Sequence, residues 1–195
     1  MNKKCYLLTG AAGRLGRCFV KILCERNIDG VTDLKLVDLH FNPELRNKQA
    51  ALCKEAKIDV EWIEGSITDQ AIFPSILNGV DVVVHMASVV DFRDDVSMST
   101  LWRVNVEGTR TLVSGCCKMN LSFFLYTSSG ESYGTNEECQ PLYDIDEDTS
   151  YLGKPSTRYA KTKRVAEDYV VASHNKSLNN GKGHLAFMAA EVILR

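Results

Sequence analysis

Three side chains in this sequence have the types needed to take a proton from a hydroxyl group. Tyr159 and Lys163 are four residues apart in a segment predicted to be helical, so they share one helix face. A tyrosine hydroxyl has a pKa of about 10, and a nearby ammonium group favours its ionised form. Ser129 follows a predicted strand and could hold the substrate oxygen by a hydrogen bond. Together the three predict general-base chemistry on an alcohol.

A glycine-rich stretch follows the first predicted strand. Gly10 permits a tight turn, Gly13 lets backbone amides approach a pyrophosphate, and Gly16 lets the next helix pack closely on the strand. That helix begins near Arg14, and Leu15 follows, so their N–H groups are predicted to face phosphates. The alternative is a glycine-rich turn without a ligand. No Gly-Lys-Ser/Thr follows, which excludes the phosphate loop of nucleotide triphosphatases.

An acidic residue ends the second predicted strand. Asp38 lies 22 positions after Gly16, close to the roughly 20 expected for the carboxylate that accepts hydrogen bonds from an adenosine ribose. A carboxylate there would repel a 2′-phosphate, so the sequence favours NAD over NADP. An ordinary strand-end aspartate is the alternative.

Strands that alternate with helices must position these residues. The predicted strands are 5–8, 34–38, 60–65, 80–87, 123–126 and 185–194. The predicted helices are one from Arg14, one over 43–57, a short one after a Thr68-Asp69 cap with apolar positions from Ile72 to Leu77, one over 97–119, and one over 155–172 with a proline in its first turn. A polar loop is predicted over 134–153 and a turn over 179–183. This alternation predicts an α/β fold with a doubly wound parallel sheet of the Rossmann type.

The composition narrows the classes of function. The chain has 195 residues and a net charge of −2, so it predicts one domain and neither a nucleic-acid nor an anionic-membrane partner. No apolar run reaches the roughly 20 residues of a membrane helix. Seven cysteines without a CxxC pair favour a reduced, intracellular compartment over disulfides or zinc. His85 is interpreted as structural, and no metal site is predicted.

These motifs resemble those of a known family. The chain is similar to the extended short-chain dehydrogenase/reductases, and within them to the 3β-hydroxysteroid dehydrogenase/Δ5-4 isomerase group. The segments that carry the resemblance are 9–16, 37–38, 43–46, 84–88, 105–109, 126–129 and 159–163.

The resemblance implies NAD as the cofactor and assigns roles to individual residues. It implies catalysis by Ser129, Tyr159 and Lys163, with Asn105 in support. It implies cofactor contacts by the residues Gly10, Gly13, Arg14, Leu15, Gly16, Asp38, Ser66, Ile67, Ala87, Tyr159 and Lys163. Related chains often have an aspartate in place of Ser66, and the serine can still make one hydrogen bond to adenine.

The predicted reaction is the oxidation of a 3β-hydroxyl group of a steroid or sterol. Tyr159 takes the hydroxyl proton, hydride leaves the carbinol carbon for NAD⁺, and Ser129 orients the oxygen. Lys163 both favours the phenolate and bonds the nicotinamide ribose. Two alternatives stay open: an enzyme of the same superfamily acting on a nucleotide sugar or another small carbonyl, and a non-catalytic NAD-binding regulatory protein. A homodimer is expected, located in the cytoplasm or peripherally at the endoplasmic reticulum membrane.

The family also implies something about domain organisation. In relatives, the strand that ends at Leu194-Arg195 here is followed by a proline and a substrate-binding lobe. Residues 1–195 are therefore expected to be the NAD-binding domain with the Ser/Tyr/Lys set, and the substrate-binding domain is expected to be missing. A fragment, a truncated product and an incomplete gene model would each account for this.

Overall fold

A parallel sheet forms the centre of the computed structural model, which describes residues 3–26, 30–134, 153–174, 176–178 and 184–190. The strands are β1 (Lys4–Thr9), β2 (Val31–Asp38), β3 (Asp59–Glu64), β4 (Val82–His85), β5 (Phe123–Thr127), β6 (Lys176–Ser177) and β7 (His184–Ala190). They are ordered β3-β2-β1-β4-β5-β7-β6, and every pairing is parallel except that of β6 with β7.

Helices connect the strands. They are α1 (Arg14–Arg26), α2 (Pro43–Ala56), α3 (Phe73–Leu77), α4 (Met98–Leu101), α5 (Thr109–Lys118) and α6 (Arg158–Ala172). A π-helical segment, Trp102–Gly108, joins α4 to α5. Two short 3₁₀ turns cover Gln70–Ile72 and Gly130–Tyr133. In the part of the chain that the structure describes, no helix is long and apolar enough to cross a membrane.

The core lies on both faces of the sheet, because neighbouring residues of a strand point to opposite faces. Leu7 and Leu8 of β1 are both fully buried, yet they belong to different apolar clusters. The cluster of Leu7 includes side chains of α3, α5 and α6, whereas that of Leu8 includes side chains of α1 and α2. The prediction of a doubly wound, Rossmann-type parallel sheet is confirmed.

The order of the strands places a crevice next to the glycine-rich turn. From β1 the chain proceeds to β2 on one side, and from β4 it proceeds to β5 on the other side. Ligands of such sheets bind beyond the carboxyl ends of the strands at this point of reversal. The turns after β1 and β4 are therefore the ones that border a binding site.

Several predicted boundaries differ from the observed ones. Helix α6 begins at Arg158, because the Thr157 side chain accepts a hydrogen bond from the Ala160 N–H and caps it there. Pro155 thus precedes the helix and is not in its first turn. Helix 97–119 was predicted without its π-helical segment, and strand β6 was not predicted. Residues 135–152 of the predicted loop, the predicted turn 179–183 and positions 191–194 of the last strand lie outside the described residues.

Candidate active site

The glycine-rich turn after β1 is too tightly packed for side chains at two positions. Gly10 has φ +73°, and a Cβ on it would lie 2.7 Å from the Ala87 backbone nitrogen. A Cβ on Gly16 would lie 2.3 Å from the Gly10 carbonyl oxygen and 2.6 Å from Ala11 Cα. The turn after β1, the first turn of α1 and the turn after β4 are consequently in direct contact. The tight turn and the close helix packing have the geometry that the sequence predicted.

Helix α1 begins at Arg14, as the sequence predicted. The Gly13 N–H donates to the Gly10 carbonyl at 3.0 Å, which folds the turn, and the Gly13 carbonyl accepts from the Arg17 N–H. The N–H groups of Arg14 and Leu15 stand in the first turn, where an α-helix supplies no carbonyl partner. This end of the helix can therefore attract an anion.

Asp38 lies beside the same turn, at the carboxyl end of β2. Its Oδ2 accepts a hydrogen bond from the Ala12 N–H at 2.8 Å, and its Oδ1 accepts one from the Leu39 N–H at 2.7 Å. A carboxylate has about four acceptor positions, so two hydrogen bonds leave capacity for ligand hydroxyls. Asp38 thus positions the loop and also remains available to a ligand.

A groove of about 350 Å³ runs along these turns. Most of the predicted cofactor residues line it: Gly10, Gly13, Asp38, Ser66, Ile67 and Ala87. Five predicted cofactor residues are not in its lining: Arg14, Leu15 and Gly16 of α1, and Tyr159 and Lys163 of α6. The glycine cradle, the helix N-terminus and the strand-end carboxylate form a site whose shape and charge fit a dinucleotide.

Ser66, which is expected to contact adenine, already has hydrogen-bond partners within its own turn. The Ser66 hydroxyl accepts a hydrogen bond from the Thr68 N–H at 3.2 Å and lies 2.8 Å from the Thr68 hydroxyl. Because Ser66 already has these contacts, a hydrogen bond to a ligand would compete with them. Thr68-Asp69 was predicted to cap a short helix, and the Asp69 side chain caps the 3₁₀ turn Gln70–Ile72 by accepting from the Ala71 N–H at 3.0 Å.

The structure brings Ser129 and Tyr159 together. Both are buried, with 7% and 5% of their surface exposed. The hydroxyls of Ser129 and Ser88 lie near the Tyr159 hydroxyl, where hydrogen bonding to them favours the phenolate and lowers the pKa of Tyr159. Burial opposes ionisation more strongly, so the pKa of Tyr159 is raised above its usual value.

Lys163 is buried on the same face of α6, and its ammonium group has partners other than the phenol. Nζ donates to the Thr127 carbonyl at 2.7 Å and lies 4.3 Å from the centre of the Tyr126 ring. Burial lowers the pKa of Lys163 to about 7, although the Glu167 carboxylate acts in the opposite direction. The pKa of Tyr159 is raised by burial, and the predicted effect of Lys163 on the phenol stays a prediction.

Asn105 lies in the π-helical segment and joins two parts of the site. Its side chain accepts from the Val89 N–H at 2.8 Å and donates to the Val89 carbonyl at 2.9 Å. It also donates to the Thr162 hydroxyl at 3.1 Å, and that hydroxyl donates to the Tyr159 carbonyl at 2.7 Å. Asn105 therefore couples the turn after β4 to the helix that carries Tyr159.

His85 is a buried link between β1 and the helix that follows β4. The Thr109 hydroxyl donates its one proton to the Asn105 carbonyl, so the His85 Nε2–H must be the donor to Thr109 at 2.9 Å. Nδ1 then accepts from the Thr9 hydroxyl at 2.6 Å. Burial lowers the pKa of His85 to about 3, so the ring is neutral. The structure agrees with its interpretation as a structural residue.

The family of the chain can be decided from its similarity to known proteins. The model of the 3-beta hydroxysteroid dehydrogenase/isomerase family matches residues 7–190. The chain belongs to this family. It is 32% identical to mouse 3 beta-hydroxysteroid dehydrogenase type 7 over 176 residues, which cover 90% of this chain and 46% of the relative. It is 31% identical to the 3 beta-hydroxysteroid dehydrogenase/Delta 5-->4-isomerase of Monkeypox virus over 176 residues, with 90% and 48% covered.

Solved structures support the fold. A short-chain dehydrogenase/reductase superfamily protein from Agrobacterium tumefaciens, crystallised with NAD, is 26% identical and superposes with a TM-score of 0.69 over 95% of this chain and 48% of its own. A dTDP-glucose 4,6-dehydratase from Streptomyces venezuelae, with NAD and TYD bound, is 23% identical and has a TM-score of 0.76 over 96% and 55%. The predicted resemblance is confirmed, and the chain spans about half the length of the curated relatives it matches.

The site contains residues that the sequence analysis did not assign. They are Ser88, Glu167 and Phe92, of which only Ser88 falls in a segment that carries the family resemblance. The ring of Phe92 packs edge-on against Tyr159, with the ring centres 5.6 Å apart. Glu167 could have been suspected, because it lies four residues after Lys163 on the face of α6 that carries Tyr159. In the described parts of the chain, no group of three metal-binding side chains is present.

Proposed function

We propose that this chain is the cofactor-binding and catalytic part of an NAD-dependent dehydrogenase that oxidises the 3β-hydroxyl group of a steroid or sterol. The observation that carries the proposal is the contact between the hydroxyls of Tyr159 and Ser129, next to a groove built from the glycine turn and Asp38. Membership of the 3-beta hydroxysteroid dehydrogenase/isomerase family supports the same reaction.

The residues of the groove fit NAD. The N–H groups at the start of α1 would hold the pyrophosphate, since they combine free donors with the positive end of the helix dipole. Asp38 would accept hydrogen bonds from the adenosine ribose, and its charge would repel a 2′-phosphate. The short-chain dehydrogenase/reductase superfamily protein from Agrobacterium tumefaciens, which is 26% identical and was crystallised with NAD, supports this cofactor. When bound, NAD⁺ would supply the acceptor for the hydride of the alcohol.

The chain's own residues would handle the proton. Tyr159 takes the proton of the substrate hydroxyl, and Ser129, whose hydroxyl lies near the phenol, orients the substrate oxygen by a hydrogen bond, with Ser88 close by. Because burial raises the pKa of Tyr159, the proton transfer needs positive charge close to the phenol. Lys163, four residues further along α6, would supply it in its ammonium form.

An apolar surface beside Tyr159 favours a steroid over a nucleotide sugar. Val90 and Phe92 are exposed to 49% and 55%, and Phe92 packs against the Tyr159 ring. Apolar rings would gain free energy by covering these side chains, whereas a diphosphate would gain none. Solved nucleotide-sugar enzymes below 25% identity resemble this chain in fold, and that likeness does not specify the substrate.

Other predictions from the family stay predictions. They are the homodimer, the location in the cytoplasm or at the endoplasmic reticulum membrane, and a substrate-binding lobe outside this sequence. They can be tested independently of the reaction.

The proposal is tested by cofactor binding and by substrate choice. NADH should bind to the chain more tightly than NADPH in fluorescence titrations. The protein with its substrate-binding lobe should form NADH from NAD⁺ and a Δ5-3β-hydroxysteroid. A UDP-sugar is the matched alternative substrate. If only the UDP-sugar is turned over, a nucleotide sugar replaces the steroid as the substrate in this proposal. Absence of dinucleotide binding would refute the proposal as a whole.

A further inference from the structure

Glu167 is a buried carboxylate of α6 to which the proposed reaction assigns no role. It lies four residues after Lys163 and eight after Tyr159, so the three side chains follow one another along one helix face. Only 9% of Glu167 is exposed. A carboxylate removed from water is costly unless it is hydrogen-bonded or paired, so its partners should reveal its role.

The partners of Glu167 are two serine hydroxyls. Its Oε2 accepts from Ser128 Oγ at 2.6 Å and from Ser132 Oγ at 2.9 Å. Both serines are buried, with 5% and 0% exposed. Hydrogen bonds to an ionised acceptor are about twice as strong as neutral ones, and burial protects them from competition by water. One carboxylate oxygen thus ties two points of another segment to α6.

These two serines flank Ser129. Ser129 lies between the end of β5 and the 3₁₀ turn Gly130–Tyr133, and its hydroxyl accepts from the Glu131 N–H at 3.3 Å. The Ser132 N–H donates to the Ser129 carbonyl at 2.9 Å. With a hydroxyl fixed on each side, the backbone at Ser129 has little freedom to move relative to α6.

Two neighbours of Glu167 hold the same segment by its backbone. Lys163 Nζ donates to the Thr127 carbonyl, and Arg164 Nε donates to the Ser132 carbonyl. Lys163 and Arg164 therefore supply donors to carbonyls, whereas Glu167 is the acceptor that secures side chains. The segment with Ser129 is fastened to the helix with Tyr159 through both kinds of contact.

We infer that Glu167 is a positioning residue, which holds the Ser129 hydroxyl against the Tyr159 hydroxyl through Ser128 and Ser132. It does so as a hydrogen-bond acceptor and does not touch the reacting atoms. The inference rests on the proposed function only where it treats Ser129 and Tyr159 as a catalytic pair, because the positioning itself is a property of the chain.

A second effect of Glu167 has to be separated from positioning. Its negative charge favours the ammonium form of Lys163, which burial disfavours. Glu167→Gln removes the charge and keeps an oxygen that can accept from the two serines. Glu167→Leu removes both the charge and the acceptor at similar volume. Positioning therefore predicts different results for the two variants, whereas an effect through charge alone predicts equal results.

The test is carbon-13 NMR of the chain labelled at the tyrosine ring carbon that bears the hydroxyl. The Tyr159 signal is assigned by its loss in Tyr159→Phe, and Ser129→Ala gives its position without the Ser129 hydrogen bond. We expect Glu167→Leu to move the signal to the Ser129→Ala position and Glu167→Gln to keep it near that of the unmodified chain. Asp168→Asn, an exposed neighbour on α6, controls for the loss of a negative charge.

The results that overturn the inference are distinct. They are an unmoved Tyr159 signal in a folded Glu167→Leu variant, or equal displacement in Glu167→Leu and Glu167→Gln. If Glu167→Leu does not fold, Ser132→Ala takes its place, because it removes one of the two donors and should move the signal part of the way. No movement in Ser132→Ala would refute positioning as well. The readout needs neither cofactor nor turnover, so a failure of the proposed function would not affect it.

Discussion

Replacing Lys163 with methionine should change how the stability of the chain depends on pH. Lys163 is 3% exposed, and burial lowers its pKa from 10.5 to about 7. In the unfolded chain the lysine regains its ordinary pKa. Between pH 7 and 10.5 the unfolded state therefore binds a proton that the folded state lacks, and the free energy of unfolding rises with pH. Below pH 7 both states are protonated, and the full cost of burying the charge is present.

The size of the effect follows from the shift. One pKa unit corresponds to about 1.4 kcal/mol, so the whole shift corresponds to on the order of 5 kcal/mol. Between pH 7 and pH 9 Lys163 raises the free energy of unfolding by about 2 kcal/mol. The rise is less than two full pH units would give, because the lysine of the folded state is still partly protonated at pH 7. Lys163→Met has no such group. The free energy of unfolding of the unmodified chain should thus rise by about 2 kcal/mol relative to Lys163→Met over this range.

Urea unfolding at several pH values measures this difference. Most other titrating groups are common to both proteins, so their contributions cancel when the two curves are subtracted. Lys161→Met, which removes an exposed lysine of the same helix, controls for the loss of a positive charge. A difference between the unmodified chain and Lys163→Met that stays constant or falls from pH 7 to pH 9 would refute the reasoning.

Three further substitutions test other parts of the site. Gly16→Ala would place a Cβ 2.3 Å from a backbone oxygen, so we expect a loss of about 1–3 kcal/mol in stability and a loss of NADH binding. Gly115→Ala, whose Cβ would have side-chain atoms of Leu77 and Phe73 as its nearest contacts at 3.0 Å and 3.1 Å, is the comparison, and equal losses would contradict the packing argument. Asp38→Arg should narrow or reverse the preference for NADH over NADPH in fluorescence titrations, and Asp38→Asn should weaken it less; an unchanged preference would remove Asp38 from cofactor selection. Asn105→Ala leaves the Val89 N–H and carbonyl without the side chain that binds them, so the free energy of unfolding in urea should fall by on the order of 2–4 kcal/mol. A fall below about 0.5 kcal/mol would show that Asn105 does not hold the turn.

Local patterns in the sequence predicted the glycine-rich turn and the position of Asp38 beside it. One short turn requires both glycines. Gly10 adopts φ +73° there, and Gly16 has no room for a Cβ. Asp38 ends β2, which pairs directly with β1, so the number of residues between the glycine turn and Asp38 is enough to place the carboxylate beside that turn. Each of these features depends on neighbouring segments whose order the strand and helix pattern already specifies.

Contacts between distant segments could not be predicted in this way. The hydrogen bonds of Glu167 with Ser128 and Ser132 join positions 39 and 35 residues apart. Ser88 meets Tyr159 only because the turn after β4 and helix α6 converge. The raised pKa of Tyr159 likewise reflects burial, which a sequence does not show at a single position.

Competing local signals explain the misplaced start of α6. Pro155 and Thr157 are both typical of helix beginnings, and the sequence alone does not rank them. The Thr157 side chain accepts from the Ala160 N–H at 3.0 Å and decides the start. The π-helical segment was not predicted, and its Asn105 makes contacts with Val89 and Thr162, 16 and 57 positions away, which a local pattern does not show.

The central claim is that Tyr159 is the base of an NAD-dependent oxidation. It is tested most directly by NADH formation from a Δ5-3β-hydroxysteroid, with Tyr159→Phe as the control that changes one oxygen. In the protein with its substrate-binding lobe, we expect turnover, and its loss by about 10²-fold or more in Tyr159→Phe, with NADH binding retained. Equal turnover by the two proteins, or no turnover by an unmodified protein that binds NADH, would contradict the claim.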